Sequence, residues 1–499
     1  MRSRASFGAR AAAAVAAVAS LIAPSLAAGQ PPEEPAPVPH VKRAGERAFI
    51  VDERNSELLL RGINSNALVE YPDYFQQTVP LSEDDYAEMA ALGFNFLRLP
   101  ISWSLLAPNP GEISQSYLDL IDANVTAAEN AGLRVLVDFH QDRYNRNLRP
   151  GDEADGAPDW ATLTEGEPCE EAFFTSPCSR AALDNFWENT VVVGKGLQEH
   201  YLDAMLAVSR KLRDHDGMLG LEIMNEPTFG TIAPPAFERQ QLWPFERKMI
   251  DGLRADGERR MIWFGPNLAR DVADTDIGQP ERLSEDPDLV YAPHIYTGVF
   301  NDSGPQELTA SYEAAVEEAS AYDAALVNAE WGNGNDPKAE AMREDHLDLA
   351  DQHRMGSGFW MWKQREGFYN WQTVEEDGSI RDDSIRAQQL SRPHIDSIPG
   401  QILSTGYDGD TQVLSASKSG RGGKATFWSG TVIQRGGVTA LGKPLVRAFV
   451  DGERVRPGRE SVTYSSATTG LLGYRITVKV PKGRHSVELR PGPLHPKLR

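Results

Sequence analysis

The sequence predicts an α/β fold, a (β/α)8 barrel of the TIM type followed by a C-terminal antiparallel β-sandwich, and three observations carry that expectation. Eight short apolar runs recur between Leu58 and Trp362, with helical patterns interleaved. Several of these runs end abruptly in polar or charged residues, as strands do where a barrel opens its C-terminal face to a ligand. After Pro393 and Pro399 the texture changes to short alternating runs. An open doubly wound sheet is the alternative, but no Gly-rich phosphate loop follows the first strand.

In chain order, Arg2, Arg4 and Arg10 precede an uncharged stretch from Ala11 to Ile22, and small residues around Ala27-Ala28 offer a cleavage site. Residues 1–29 therefore read as a secretion signal, which implies a secreted, extracellular protein. Residues 30–44 are Pro-rich at their start and read as a disordered lead-in. The barrel is expected over 45–395. Leu58–Asn64 is its first strand, Ser82 caps a helix with acids in its first turn and Gly93 closes it. Phe94–Leu99 is the second strand, and Leu118, Ile121, Val125 and Ala128 share one face of the next helix. Leu133–His140 is the third strand. Five more lie at Leu219–Met224, Met261–Gly265, Leu289–Pro293, Leu326–Glu330 and Gly358–Trp362. The sandwich is expected over 400–499, with strands near Lys424–Trp428, Leu445–Val450, Ser461–Ser465 and the alternating Tyr474–Val480. Lys418–Ala425 has the look of a phosphate loop but lacks its leading Gly and final Ser or Thr, so it reads as a turn. Trp428 is the only tryptophan of this region, which favours a packing module over a sugar-binding one.

A chain of 499 residues that is 40% hydrophobic has enough apolar surface for a large core without staples. Its net charge of −22 argues against nucleic acid or an anionic membrane as partner. No run after the N-terminus is apolar and long enough to span a bilayer. The two cysteines, Cys169 and Cys178, lie close together in a loop-like segment, and in an exported chain they read as a local disulfide. No metal-ligand spacing stands out, and no cofactor is expected.

The stretch Leu221–Pro227 is an apolar run that ends in Asn225-Glu226-Pro227, and Ala324–Gly332 repeats the arrangement around Glu330. Proline stops a strand just where side chains become available. Two glutamates at strand ends suit glycosidic hydrolysis, in which one protonates the leaving oxygen and the other attacks the anomeric carbon or activates water. Other strand ends supply Arg98, the Asp138–Asp142 stretch with His140, then His294 with Tyr296, and Trp362 with Lys363. Singly, each has an ordinary explanation as a core ion pair, a satisfied histidine or barrel packing. Their recurrence at one rim favours a site.

On these residues the chain resembles the family 5 glycoside hydrolases over roughly residues 45 to 390, and within them the endoglycoceramidases. Leu60–Asn64, Asp138–Asp142, Gly156–Ala161, Asp184–Trp187 and Met224–Pro227 carry the likeness. The resemblance implies a retaining enzyme whose acid/base is Glu226 and nucleophile Glu330. It further implies that Arg98, His140, Asn225, His294, Tyr296 and Trp362 complete the site. Asp142 and Lys363 are included as substrate-binding residues, Trp362 would floor the sugar ring, and Trp187 would stack on another sugar. Asn328–Gly332 and Trp362–Gln364 depart from the family's usual forms and bear on glycan preference.

The implied activity is hydrolysis of the bond between oligosaccharide and ceramide in glycosphingolipids. Alternatives are an endo-β-glucanase or mannanase of the same fold, or a carbohydrate-binding protein on an inert barrel. The substrate suggests transient contact with lipid micelles or membranes, and a monomer is expected. Phe237 and Trp243, which follow the proposed acid, are expected to line a groove for the lipid chains; the alternative is that they pack the loop onto the barrel.

Overall fold

The computed structural model describes residues 38–71, 78–148, 156–169, 176–300, 302–365, 370–380, 385–430, 446–458, 462–466 and 473–492. The segment read as a signal and the lead-in as far as residue 37 lie outside them. Eight parallel strands form the barrel: β1 (Arg61–Asn64), β2 (Phe96–Ser102), β3 (Arg134–His140), β4 (Met218–Glu222), β5 (Met261–Phe264), β6 (Leu289–Tyr291), β7 (Ala325–Trp331) and β8 (Gly356–Phe359). Each pairs with the next, and β8 pairs back onto β1.

Strands covered on both faces must be apolar throughout, which is why they read as unbroken runs. Every residue of β2, β4, β5, β6 and β8 is buried. Phe96, Leu136, Leu219, Met261, Trp263, Val290 and Val327 fill the interior. Gly62 of β1 faces the Phe96 ring so closely that an added Cβ would stand 2.2 Å from a ring carbon. Only glycine lets that ring occupy the barrel.

The eight connecting helices are α1 (Glu83–Ala91), α2 (Gln115–Asn130), α3 (Leu197–Lys211), α4 (Trp243–Ala255), α5 (Leu268–Ala273), α6 (Pro305–Tyr322), α7 (Pro337–His353) and α8 (Arg386–Leu390). Ser82 caps α1 through a capping box with Asp85. The buried face of α2 holds Leu118, Ile121, Val125 and Ala128. No helix among the described residues is long and apolar enough to cross a membrane.

The N-terminal boundary differs from expectation. Residues 40–44, placed in the lead-in, form a strand antiparallel to Arg47–Val51. Val41 and Ile50 of this hairpin pack onto Leu60, Leu136, Leu219 and Met261 and close the barrel floor. The apolar surface left open by the barrel supplies the reason, and it was invisible in a short charged stretch.

The C-terminal strands are β9 (His394–Pro399), β10 (Gln401–Asp408), β11 (Val413–Ser419), β12 (Gly423–Gly430), β13 (Val446–Val450), β14 (Val462–Ser466), β15 (Gly473–Val480) and β16 (His485–Pro491). One antiparallel sheet runs β9-β12-β15-β14 and the other β10-β11-β16-β13. Ile395, Ile398, Ile402, Leu414, Phe427, Ile476 and Val478 pack between them. Lys418–Ala425 spans the turn between β11 and β12. Trp428 is fully buried, and its indole donates to the Ser391 carbonyl at 3.0 Å. Arg475 pairs with Asp396 of its own sheet at 2.9 Å and joins the sheet to the barrel through the Phe94 carbonyl at 3.1 Å.

The connection from β3 to α3 is long and carries the helix Pro177–Trp187, followed by a two-stranded hairpin at Val191–Gly196. Cys169 and Cys178 are joined by a disulfide at the start of that helix, with their Cα atoms 5.1 Å apart. Closing so short a loop stabilises by about 2 to 3 kcal/mol at most in the chain-entropy picture. Titration of the unreduced, denatured protein with a thiol reagent should find no free thiol; two would show that the bridge does not form.

Candidate active site

Arg98 lies in the middle of β2 with no exposed surface. A cation so placed demands anions around it, because desolvation without pairing costs several kcal/mol. The barrel register supplies them, since Asp138 on β3 pairs with Glu222 on β4 in the neighbouring strands. Arg98 donates from Nε and Nη2 to the two oxygens of Glu222, at 2.7 and 3.0 Å. Its Nη2 also lies 3.1 Å from Asp138 Oδ2 and 2.9 Å from Asn225 Oδ1. Nη1 donates to Glu330 Oε2 at 2.8 Å and to Asn64 Oδ1 at 3.2 Å. Burial works against the Asp138 carboxylate, but Arg98 and His140 outweigh it and hold the group below its ordinary range. Burial pushes Glu222 up to about 7 despite the guanidinium, with Asp138 adding to the rise.

Glu330, near the end of β7, accepts from Arg98 on one oxygen and from the Tyr296 hydroxyl, at 2.6 Å, on the other. Glu226 sits beyond the end of β4, where the chain turns out of the sheet. Gln141 steadies that turn by donating to the carbonyls of Asn225 and Glu226, both at 2.7 Å. Glu226 itself adopts φ 40°, a left-handed conformation that costs a non-glycine residue energy and persists only where its surroundings impose it.

Both glutamates approach one imidazole nitrogen. His294 Nδ1 lies 2.9 Å from Glu226 Oε1 and 3.9 Å from Glu330 Oε1. The two carboxyls therefore lie too close for most of the ~6.5–9.5 Å span in which an inverting enzyme houses its water, which favours the ~5–5.5 Å arrangement of direct attack. Their electrostatic settings differ. Burial, then the charge of Asp142, pushes Glu226 up to about 8, so it holds its proton at neutral pH. Burial also raises Glu330, but the Arg98 guanidinium opposes the rise. Burial drives His294 down to about 4, leaving a neutral ring between the two acids.

The loop carrying His294 and Tyr296 is fixed by Asp271 of α5, which accepts from the His294 amide at 2.8 Å and, through its carbonyl, from the Tyr296 amide at 3.2 Å. Glu226, Asp271 and His294 bring ligand-type atoms within 4.8 Å of one another, a proximity that would allow them to hold a metal ion. Sequence spacing could not show it, because the three residues follow different strands. His140 lies between Asp138 Oδ2 at 2.6 Å and the Tyr71 hydroxyl at 2.8 Å, and the Trp360 ring is parallel to it at 5.3 Å. Asp142 Oδ1 is 3.7 Å from His140 Nε2.

Seven residues expected from the sequence thus meet here with Asp142: Arg98, His140, Asn225, Glu226, His294, Tyr296 and Glu330. Five others do not. Trp362 is fully buried behind the site, with its indole donating to Asp85 at 2.9 Å. Because β8 ends at Phe359, strand alternation says nothing about residue 362, and Trp360 is the tryptophan that stacks on His140. Lys363 is buried against the same Asp85 at 2.6 Å and serves the start of α1. Trp187 is packed among Phe186, Phe237 and Phe245, and its indole donates to the Thr228 carbonyl at 2.9 Å. Phe237 has no exposed surface, and Trp243 is buried with its indole on the Tyr322 hydroxyl at 3.1 Å. These two belong to the core, so the lipid groove expected there is absent from that position. In the sequence Asp138 stands only as part of a motif, and Glu222 only as part of an apolar run. A carboxylate inside a buried strand signals a buried cation, and that signal would have paired Glu222 with Arg98. Tyr71 and Asp271 left no such mark.

Glu222→Ala would leave Arg98 underneutralised in the core, and chemical unfolding should show a loss of about 3 to 5 kcal/mol. Phe237→Ala should cost a comparable ~3 to 5 kcal/mol and impair soluble and lipid-linked substrates alike. Unchanged stability with a selective effect on lipid substrates would restore the groove.

The family model for cellulase, glycosyl hydrolase family 5, matches residues 51–366, a span that contains all eight barrel strands. The chain is 28% identical over 267 residues to endoglycoceramidase I of Rhodococcus hoagii (strain 103S), covering 50% of this chain and 51% of that protein. It is 24% identical over 258 residues to an endoglycoceramidase of Cyanea nozakii, covering 44% and 49%. The chain thus spans about half the length of the curated relatives it matches. A solved endogalactoceramidase superposes with a TM-score of 0.74 at 25% identity, covering 90% of this chain and 99% of that one. A family model that spans the whole barrel decides the matter: this chain belongs to glycosyl hydrolase family 5.

Proposed function

We propose that the protein is a retaining endo-β-glycosidase that separates the oligosaccharide of a glycosphingolipid from its ceramide. The observation that carries the chemistry is the unequal treatment of two glutamates beside one neutral imidazole. Glu330, with a donor on each oxygen, is the nucleophile, and Glu226, which keeps its proton to about pH 8, is the acid. Glu330 attacks the anomeric carbon as the bond to the leaving oxygen breaks, and Glu226 transfers its proton to that oxygen. The resulting Glu226 carboxylate then takes a proton from water, whose oxygen displaces Glu330 and restores both groups. His294 remains neutral throughout this range and can bond Glu226 in either of its protonation states. Trp360 floors the ring, taking the part first given to Trp362. Asn225 donates to the Gln141 carbonyl at 2.8 Å, and its second amide hydrogen is the group for the sugar 2-hydroxyl.

The choice of a ceramide-linked substrate is supported by the curated relatives named endoglycoceramidase and by the extent of the superposition on the endogalactoceramidase. The family model's own name keeps soluble β-glucan as the competing substrate. We further propose an exported monomer that meets its substrate in micelles or membranes. The basic and apolar stretch at 1–29 and the Cys169–Cys178 disulfide support export.

Incubation with a panel of glycosphingolipids and soluble β-glucans, with analysis of released sugar and lipid, should yield intact ceramide and free glycan. Hydrolysis of glucans alone would select the competing reading. Glu330→Ala should abolish turnover in a folded protein. Glu226→Ala should lower kcat/KM by about 10²–10⁴-fold on glycolipid, yet spare activated aryl glycosides, which need little protonation. Azide with Glu226→Ala should give a glycosyl azide of retained configuration; an inverted product would refute the assignment. The acid works only when protonated, so kcat/KM should fall as pH rises through about 8. An alkaline limb that survives unchanged in Glu226→Gln would belong to another group.

A further inference from the structure

Directly after the helix Pro177–Trp187, strands Val191–Val192 and Lys195–Gly196 form a hairpin with a two-residue turn. Its turn residues, Val193 and Gly194, both have positive φ, at 50° and 79°. Such a turn favours Asn-Gly, and a β-branched residue suits its first position worst of all. Val193 occupies that position nevertheless, with its side chain in water. Among the described residues, Val193 and Val191 are the most exposed large hydrophobic side chains, at 77% and 67%. Single exposed apolar residues are unremarkable. Here exposure coincides with a backbone conformation that valine resists, so neither solubility nor local folding explains the choice.

The tip is held firmly, and the helix before it is bonded to the loop that follows Glu226. Val192 turns inward onto the core, and its carbonyl bonds His200 Nε2 at 2.9 Å. Thr190 and Asn189 accept from the first amides of α3, at 3.0 and 2.9 Å. The preceding helix grips the loop that follows Glu226: Trp187 reaches the Thr228 carbonyl, and Asp184 accepts from the Thr231 amide at 2.7 Å and its hydroxyl at 2.5 Å. Phe229 and Ile232 of that loop are half-buried against the same core. The hairpin is thereby tied, through this helix, to the loop that follows Glu226, the proposed acid. Its only charged residue, Lys195, is neutralised by Asp203. A tip without net charge, on a chain carrying −22, matches an uncharged lipid surface and not an anionic one.

We propose that the Val191–Val193 tip is a lipid-contacting element that seats the leaving-group side of the cleft on a zwitterionic bilayer. The proposal deepens the reading of the protein as a glycosphingolipid hydrolase and rests on it for its purpose, though the contact can be measured separately. Val193→Asn restores the preferred Asn-Gly turn and Val191→Thr keeps a β-branched strand residue, so this double variant removes apolar surface without disturbing the hairpin.

Co-flotation with plain phosphatidylcholine vesicles should show binding of the parent chain and about tenfold weaker binding of the double variant. Melting temperature and turnover of a soluble aryl glycoside should be unchanged, while hydrolysis of vesicle-embedded lactosylceramide should fall with the binding. Equal vesicle binding by the two proteins, or none by the parent, would overturn the proposal. So would a dimer of the parent that the double variant dissolves in sedimentation, since the tip would then be a contact between copies. Loss of vesicle binding in a protein that cleaves no glycolipid would uphold the lipid contact and sink the substrate instead.

Discussion

One buried guanidinium governs this site. Arg98 lies within a strand that has no access to water, and its nitrogens are committed to Glu222, Asp138, Glu330, Asn225 and Asn64. A single cation cannot neutralise every carboxylate near it, and the distribution of the remainder sets the chemistry. Asp138 stays ionised, Glu330 receives Arg98 together with Tyr296, and Glu226 is left with a neutral histidine and the neighbouring Asp142. The proton on Glu226 follows from where the cation is not.

Holding that asymmetry requires backbone control as well as charge. Glu226 occupies a left-handed conformation outside the sheet, and Gln141 clasps the carbonyls on both sides of its turn. Asp271 does the same for the segment bearing His294 and Tyr296. Below them the loop that follows Glu226 is bonded to the helix Pro177–Trp187, whose aromatic residues fill a shared core with Phe237 and Phe245. The large side chains of this region thus stiffen the support of Glu226, and the exposed apolar side chains of Val191 and Val193 lie farther out, at the hairpin tip.

Much of this was legible in the sequence, for a physical reason. A parallel barrel strand is buried on both faces and so writes itself as an apolar run, and its functional end appears as a sudden polar residue. Glu226, Glu330, His140, His294 and Tyr296 all stand at or near such ends, whereas Arg98, expected near an end, lies inside a strand that runs on to Ser102. The sandwich announced itself by period-two alternation in Tyr474–Val480, whereas β10, β11 and β16 passed unread because their outer faces mix small and polar residues.

What the sequence determined by itself was therefore the barrel, its rim and the two glutamates, since burial and periodicity are local properties of a chain. Tertiary structure alone decided which tryptophan stacks on His140, because Trp360 and Trp362 lie beyond the end of β8, where alternation ceases to constrain side-chain direction. It alone decided that Trp187, Phe237 and Trp243 are core, since an aromatic residue looks the same in sequence whether it meets a ligand or another ring. It alone, finally, set Asp271 beside His294 and Tyr71 beside His140, because contacts between residues far apart in sequence depend on how the barrel closes.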